Sequence, residues 1–136
     1  MTDISQMDEL IDAHYRAEET GDIDAILAGF LPDAGHDVAG RPGGELHGGE
    51  QIAAYYRRLL ADLRIDRFET VRRWYGESHA VDESWLHGTA VGRVFGLDGG
   101  GRRIRVRLLH VFDFAGGRIS RESAWLDVAG LQSQLG

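Results

Sequence analysis

The chain has 136 residues, a formal net charge of −7 and 43% hydrophobic residues, which suits one domain, 1–136, with a sizeable core. The acidic balance argues against nucleic acid and anionic membranes as partners, and no apolar run reaches the ~20 residues of a membrane span, so we expect a cytoplasmic protein. Cysteine and lysine are absent, which excludes thiol nucleophiles and lysine Schiff bases and leaves His, Asp, Glu, Tyr and Arg for proton transfer.

Two helices are predicted at the start of the chain. Residues 4–20 repeat apolar side chains at helical spacing, with His14 on or beside the buried stripe. Gly21 can end this helix and Asp22 can cap a second, short one over 22–30.

A third helix and four long strands are predicted in the rest of the chain. Residues 39–49 form a Gly-rich loop, expected to be a mobile lip, and 50–63 repeat an apolar face at helical spacing. The pattern then becomes strand-like, with turns at 97–101 and 115–117, and the last residues form a short tail. The expected strands are 64–75, 78–95, 102–114 and 118–127.

The hairpin formed by the last two strands carries the main candidate residue. Side chains alternate along a strand, so one face of the first strand holds a single polar residue, His110. Its unperturbed pKa of ~6.5 suits acid–base work near neutrality. The other members of that face are Ile104, Val106, Leu108, Phe112 and Phe114.

The opposite face of the predicted sheet is also partly apolar. Two exposed tryptophans on one face would form a costly patch, so we expect a second copy of the chain to cover it as a homodimer. The residues on this outer face are Val81, Trp85, Leu109, Val111 and Trp125.

Helices followed by strands indicate an α+β fold in which a curved antiparallel sheet, with about four long strands and short edge pieces, wraps around three N-terminal helices. The opening YRAEETGDIDAILAGFLPDA, the segment HGGEQIAAYYRRLL and the final hairpin with GGRI and WLD resemble the cone-shaped nuclear transport factor 2-like superfamily. Within it the chain resembles the SnoaL-like polyketide cyclases and the ketosteroid isomerases.

The resemblance to ketosteroid isomerase, an enzyme whose site tunes the pKa values of its carboxyl groups, implies roles for several residues. The oxyanion-hole tyrosine matches His14, and the protonated aspartate of that hole matches His110. The position of the general base matches Val38, next to Asp37, and Tyr56 matches the tyrosine that supports the hole.

The resemblance to SnoaL-type cyclases and limonene epoxide hydrolases directs attention to the last strand. Their catalytic aspartate matches Ala124, and Glu122 lies two residues earlier on the same strand face. Asp82 shares the parity of Ser84 on the second long strand and is expected to point into the cone.

We therefore expect a cofactor-independent acid–base enzyme, an isomerase, cyclase or dehydratase, acting on a small hydrophobic oxygenated ring compound of polyketide, terpenoid or steroid type. His110 and His14 would hold or protonate an oxygen, and Glu122 or Asp82 would move the proton. The expected substrate-binding residues are His36, Asp37, Tyr55, Tyr56, Leu108, Phe112 and Ala124.

Three alternatives remain open from the sequence. Asp82 or Glu122 could activate water for epoxide opening, or the chain could be a non-catalytic binding or assembly module. His14, His36 and His110 could also converge on a metal with one of these carboxylates, but the superfamily usually works without one, so no metal or cofactor is expected.

Overall fold

The computed structural model describes residues 2–136, and its first helix has the predicted bounds. Helix α1 spans Ile4–Thr20, with Asp3 accepting a hydrogen bond from the Gln6 amide in a capping box. It ends at Gly21, whose φ of 70° is the left-handed conformation that glycine adopts without steric cost. The remaining elements are α2 (Ile23–Ala28), β1 (Phe30–Val38), β2 (Leu46–His47), α3 (Gly49–Asp62), β3 (Leu63–Tyr75), β4 (His79–Ala90), β5 (Arg93–Val94), β6 (Leu97–Asp98), β7 (Arg102–Ala115), β8 (Arg118–Leu126) and α4 (Val128–Leu135).

The main sheet has six strands in the order β2-β1-β8-β7-β4-β3. Helices α1 and α3 pack against it, and the core lies between them and the sheet. The long strands β4 and β7 alternate buried and less buried residues, as expected for a sheet with one face on the core. This is the α+β cone fold predicted from the sequence.

Three parts of the chain differ from the predicted elements. The segment 30–38 is a strand, β1, which pairs parallel with β8, so the sheet is mixed and not purely antiparallel. Pro32 and the irregular register before Gly35 interrupt the alternation of apolar and polar residues by which a strand is predicted. Proline is tolerated at such a bulge. The C-terminal tail is helix α4, which Asp127 caps and whose Leu131 is buried.

The end of the second long strand also differs. Strand β4 stops at Ala90, and a small hairpin of β5 and β6 follows. Phe95 and Gly96 form its two-residue turn with φ values of 48° and 82°, so Phe95 adopts a left-handed conformation that is uncommon for a non-glycine residue.

The outer sheet face is partly apolar, as expected. Trp125 is 46% exposed and Leu109 is 37% exposed. Trp85 is half-buried because Arg105 and Arg107 lie over its ring, with the Arg105 guanidinium carbon 3.9 Å from the centroid. The homodimer through this face stays a prediction. Among residues 2–136, no helix is long and apolar enough to cross a membrane.

Candidate active site

A cavity of about 40 Å³ lies between helices α1 and α3 and the inner face of the sheet. One water molecule needs roughly 10–15 Å³ of such cavity volume, so the cavity has room for about three water molecules. Its polar end is lined by Glu18, His36, Tyr55, Tyr56, His110 and Glu122. Its apolar wall includes Val38, Leu59, Phe68, Leu86, Phe95, Leu108, Ala124 and Leu126.

The strand register explains why these polar groups meet. His36 on β1 lies directly beside Glu122 on β8. In the next row across the sheet, Ala124 lies beside His110 and His110 beside Asp82. All of these side chains are buried on the concave face, because residues two apart on a strand point the same way.

Glu122 is the centre of the polar cluster. It is 1% exposed and accepts a hydrogen bond of 2.8 Å from the Tyr56 hydroxyl. The Nε2 atoms of three histidines surround its carboxylate, at 3.3 Å for His14, 3.3 Å for His36 and 3.5 Å for His110. Burial alone would raise the pKa of Glu122, but His14 and His36 hold it well below its usual range, so the group is a carboxylate.

His14 pairs with two carboxylates. Its Nε2 lies 2.9 Å from Glu18, one helical turn further along α1, and 3.3 Å from Glu122. Burial opposes its protonation, but the two carboxylates outweigh burial and raise the pKa of His14 to about 10. His14 is therefore an imidazolium at neutral pH, and its charge is directed at Glu18 and Glu122.

The Gly-rich loop that follows β1 fixes the tautomer of His36. Arg41 on this loop approaches His36 Nδ1 at 3.1 Å and donates to the His36 carbonyl at 2.7 Å. A guanidinium can only donate, so Nδ1 is an acceptor and the proton of His36 resides on Nε2, which faces Tyr56 and Glu122. Arg41 also donates to the Gly44 carbonyl and lies over the ring of Tyr55, which ties this loop to the site.

His110 has the opposite tautomer. The Tyr15 hydroxyl donates to Asp82 at 2.7 Å and lies 3.1 Å from His110 Nδ1. Burial and Asp82 raise the pKa of Tyr15 well above its usual value, so the hydroxyl keeps its proton and its oxygen must accept from Nδ1–H. Burial also lowers the pKa of His110, which leaves a neutral imidazole with a free lone pair on Nε2.

Asp82 is the last acceptor in the series of hydrogen bonds that runs from His110 through Tyr15. It is fully buried, and its second oxygen accepts from Arg73 at 2.8 Å and from the Thr70 hydroxyl at 3.0 Å. Arg73 in turn pairs with Asp8 of α1 at 2.8 Å. Every oxygen of Asp82 is thus occupied, and its side chain does not line the cavity.

The structure brings most of the predicted site residues together. His36, Tyr55, Tyr56, Leu108, His110, Glu122 and Ala124 line the cavity, and His14 contacts two of its carboxylates.

Three predictions need correction. Asp82 positions Tyr15 and has no free oxygen with which to take a proton from a substrate. Asp37 is only half-buried and lies on the strand parity opposite to His36, away from the cavity. Phe112 is fully buried against the rings of His14 and His110 and does not line the cavity.

The predicted oxyanion role of the histidines also does not fit the contacts. The Nε2–H of His14 is directed at Glu18 and Glu122, and the Nδ1–H of His110 at Tyr15. Neither of these two protons is directed at the cavity. The Nδ1–H of the His14 imidazolium has no partner among residues 2–136, but His14 does not line the cavity. The contacts therefore do not support an oxyanion hole formed by these two histidines.

Sequence reasoning missed three functional side chains. Glu18 could have been found from its four-residue spacing to His14 on a helix. Tyr15 has the helical spacing of the apolar face of α1, and its ring does stack on Phe68 with centroids 4.3 Å apart, so its hydroxyl gave no separate signal. No local signal distinguished Arg41 from other loop arginines.

One group among residues 2–136 has the geometry to hold a metal ion. His14, Glu18 and Glu122 each offer one ligand atom, all within 4.8 Å of one another. It differs from the set considered from the sequence, because His36 and His110 do not belong to it and Glu18 does. The ion pairs between these three residues occupy the same atoms without a metal.

The sequence of residues 11–122 matches the profile of the SnoaL-like domain. This match covers most of the chain, which therefore belongs to the SnoaL-like domain family, within the nuclear transport factor 2-like superfamily. No curated protein sequence matches the chain significantly.

Solved structures share this fold. A proposed polyketide cyclase from Xanthomonas campestris pv. campestris is 23% identical with a TM-score of 0.84, covering 97% of this chain and 98% of its own. TsrD from Streptomyces laurentii is 23% identical with a TM-score of 0.85, covering 100% and 98%. A hypothetical protein with a ketosteroid isomerase-like fold from Catenulispora acidiphila, in complex with trimethylamine, is 17% identical with a TM-score of 0.78, covering 94% of this chain and 92% of its own.

Proposed function

We propose that this chain is a cofactor-independent proton-transfer enzyme of the isomerase or cyclase type, with His110 as its general base. The observation that supports the proposal is the chain of hydrogen bonds from Asp82 through Tyr15 to His110. These hydrogen bonds hold the proton of His110 on Nδ1. They leave Nε2, which faces the cavity, free to accept a proton.

Glu122 would assist the base. Its carboxylate lies 3.5 Å from His110 Nε2, and it stabilises the imidazolium that forms when His110 takes a proton from the substrate. The Asp82–Tyr15 pair stabilises the same charge from the other side of the ring. His110 can then return the proton to a different atom of the substrate, which gives isomerisation, or to a leaving hydroxyl, which gives dehydration.

The substrate would place only a small part of itself at this base. The cavity of about 40 Å³ is well below the roughly 300–1,000 Å³ of sites for drug-sized ligands. The ring compound expected from the sequence would extend along the apolar wall formed by residues such as Leu86, Leu108 and Leu126. The trimethylamine complex belongs to a protein that is 17% identical, and that likeness concerns the fold alone.

A proton-exchange assay tests the proposal without knowledge of the natural substrate. Cyclic ketones and 1,3-diketones are incubated with the protein in heavy water, and loss of their α-proton signals is followed by NMR. His110→Gln should slow exchange by ~10²–10⁴-fold, the contribution of one positioned base. The matched control is His47→Gln, because the His47 side chain is 70% exposed and does not line the cavity. Equal exchange rates in wild type and His110→Gln would disprove the role of His110.

A second candidate function is hydrolytic. The cavity has the size of a few water molecules, and His110 Nε2 could activate one of them to open an epoxide. This function requires oxygen from labelled water in the product. Turnover of an epoxide without such uptake would eliminate it.

A further inference from the structure

Most of the hydrogen-bond donors around the cavity are already committed to protein acceptors. Among residues 2–136 the exceptions are the Tyr55 hydroxyl and the Nδ1–H of His14, and His14 does not line the cavity. The Nε2–H of His14 lies 2.9 Å from Glu18, and the Tyr56 hydroxyl donates to Glu122 at 2.8 Å. The Nε2–H of His36 lies 3.1 Å from the Tyr56 oxygen. A ligand in the cavity therefore finds few donors among these groups.

Acceptors remain in excess at the same place. His110 Nε2 and Glu122 Oε2 are 3.5 Å apart, and the tautomer set by Tyr15 leaves no proton between them. Both residues are at most 5% exposed, so bulk water does not compensate them. Glu18, also 5% exposed, adds a second carboxylate to the lining. A ligand that donates hydrogen bonds would therefore satisfy these acceptors.

The cluster also carries an excess of negative charge. Glu18 and Glu122 face a single imidazolium, that of His14, in direct contact. The next cation, Arg41, binds the far side of His36 and does not line the cavity. A buried charge without a partner is costly, so a positive charge in the cavity would stabilise the cluster.

Aromatic rings complete the environment. The rings of Tyr55, Tyr56, Phe68 and Phe95 line the same cavity as the two carboxylates. Aromatic faces attract alkylammonium groups through their quadrupole, and carboxylates bind the N–H groups. The volume of about 40 Å³ admits such a head group, and the apolar wall offers a path for its hydrocarbon tail.

We infer that the ligand of this site is a small alkylammonium compound, whose N–H groups donate to Glu18 and Glu122. This inference specifies the substrate class for the proposed function and rests on it through the neutral form of His110. The ammonium group donates its hydrogen bonds to the two carboxylates. The lone pair of His110 Nε2 stays available for the proton that is transferred.

A matched set of three ligands tests the inference. Benzylammonium, benzyl alcohol and benzoate have similar shapes and differ in charge and in donor capacity. Binding is measured at neutral pH by calorimetry and by the shift of the His110 imidazole ¹⁵N signals. We expect benzylammonium to bind at least about tenfold more tightly than benzyl alcohol, which corresponds to about 1.4 kcal/mol, and benzoate not to bind.

Substitutions locate the binding. Glu18→Gln removes one carboxylate of the lining and should weaken benzylammonium binding about tenfold or more. Glu9→Gln on the same helix is the control, because Glu9 is exposed and lies outside the site. The near-ultraviolet circular dichroism of both variants verifies that the fold is retained.

Several results would overturn the inference. These are equal or tighter binding of the alcohol, binding of benzoate, an unchanged affinity in Glu18→Gln, or no binding of benzylammonium by the folded protein. Binding of Zn²⁺ without binding of the amine would assign the acceptors to a metal instead. Amine binding without proton exchange would refute only the proposed function, and exchange without amine preference would refute only this inference.

Discussion

Replacement of Glu122 by glutamine should be among the most destabilising single changes in this chain. The side chain is 1% exposed, accepts from Tyr56 at 2.8 Å and pairs with the imidazolium of His14 at 3.3 Å. Removing one partner of a buried ion pair typically costs ~3–5 kcal/mol, because the other charge is left without compensation. Since Glu18 still pairs with His14 in the variant, we expect the lower part of this range, ~3 kcal/mol.

A double-mutant cycle separates the ion pair from other effects of the substitution. The second change is His14→Gln, and unfolding free energies come from urea titrations of the four proteins at neutral pH. The double variant contains neither charge, so it should be ~1–3 kcal/mol more stable than the two single changes would predict if added. If the losses of unfolding free energy in the two single variants simply add up in the double variant, the two residues do not interact. That result would refute the ion pair between Glu122 and His14.

The same ion pair predicts how stability depends on pH. His14 has a folded-state pKa of about 10, above its unfolded value of ~6.5. Its stabilising contribution is therefore complete below pH ~6.5 and is lost as the pH rises toward about 10. Glu122 has a depressed pKa, so its contribution is present above its unfolded pKa of ~4.3 and is lost at lower pH. His14→Gln should flatten the alkaline part of the stability profile, and an unchanged alkaline part would contradict the assignment.

Three further predictions concern other features of the structure. Tyr15→Phe removes the acceptor for His110 Nδ1–H, so ¹⁵N NMR should show a mixture of His110 tautomers, and an unchanged spectrum would exclude Tyr15 as the positioning residue. Trp125→Glu should convert the proposed homodimer to monomer in light scattering, and a monomeric wild type would refute the dimer. Phe95→Gly should change stability by less than ~1 kcal/mol, because relief of the left-handed backbone, worth about 1–2 kcal/mol, offsets the lost apolar contact. A loss of ~3 kcal/mol or more in urea titrations would show that Phe95 acts as an ordinary core residue.

Much of the fold was predictable because its signals are local. The helical spacing from Ile4 to Thr20 and the left-handed end at Gly21 depend on residues within a few positions of each other. The alternation along β7 placed His110 on the buried face, and the parity of β8 placed Glu122 there too. Strand β1 lacked such a signal, because Pro32 and an irregular register interrupt its alternation.

The chemistry of the site was decided by contacts between distant parts of the chain. Whether His110 is a donor or an acceptor depends on Tyr15, and the role of Tyr15 depends on Asp82, which lies on another element. Asp82 itself is a positioning residue because Arg73 and Thr70 occupy its second oxygen. The sequence placed His14, His110 and Glu122 in the interior, but it missed Glu18 and placed Asp37 at the site incorrectly. The tertiary structure alone determined their protonation, because burial and the nearest charged partner set the pKa and the tautomer of each group.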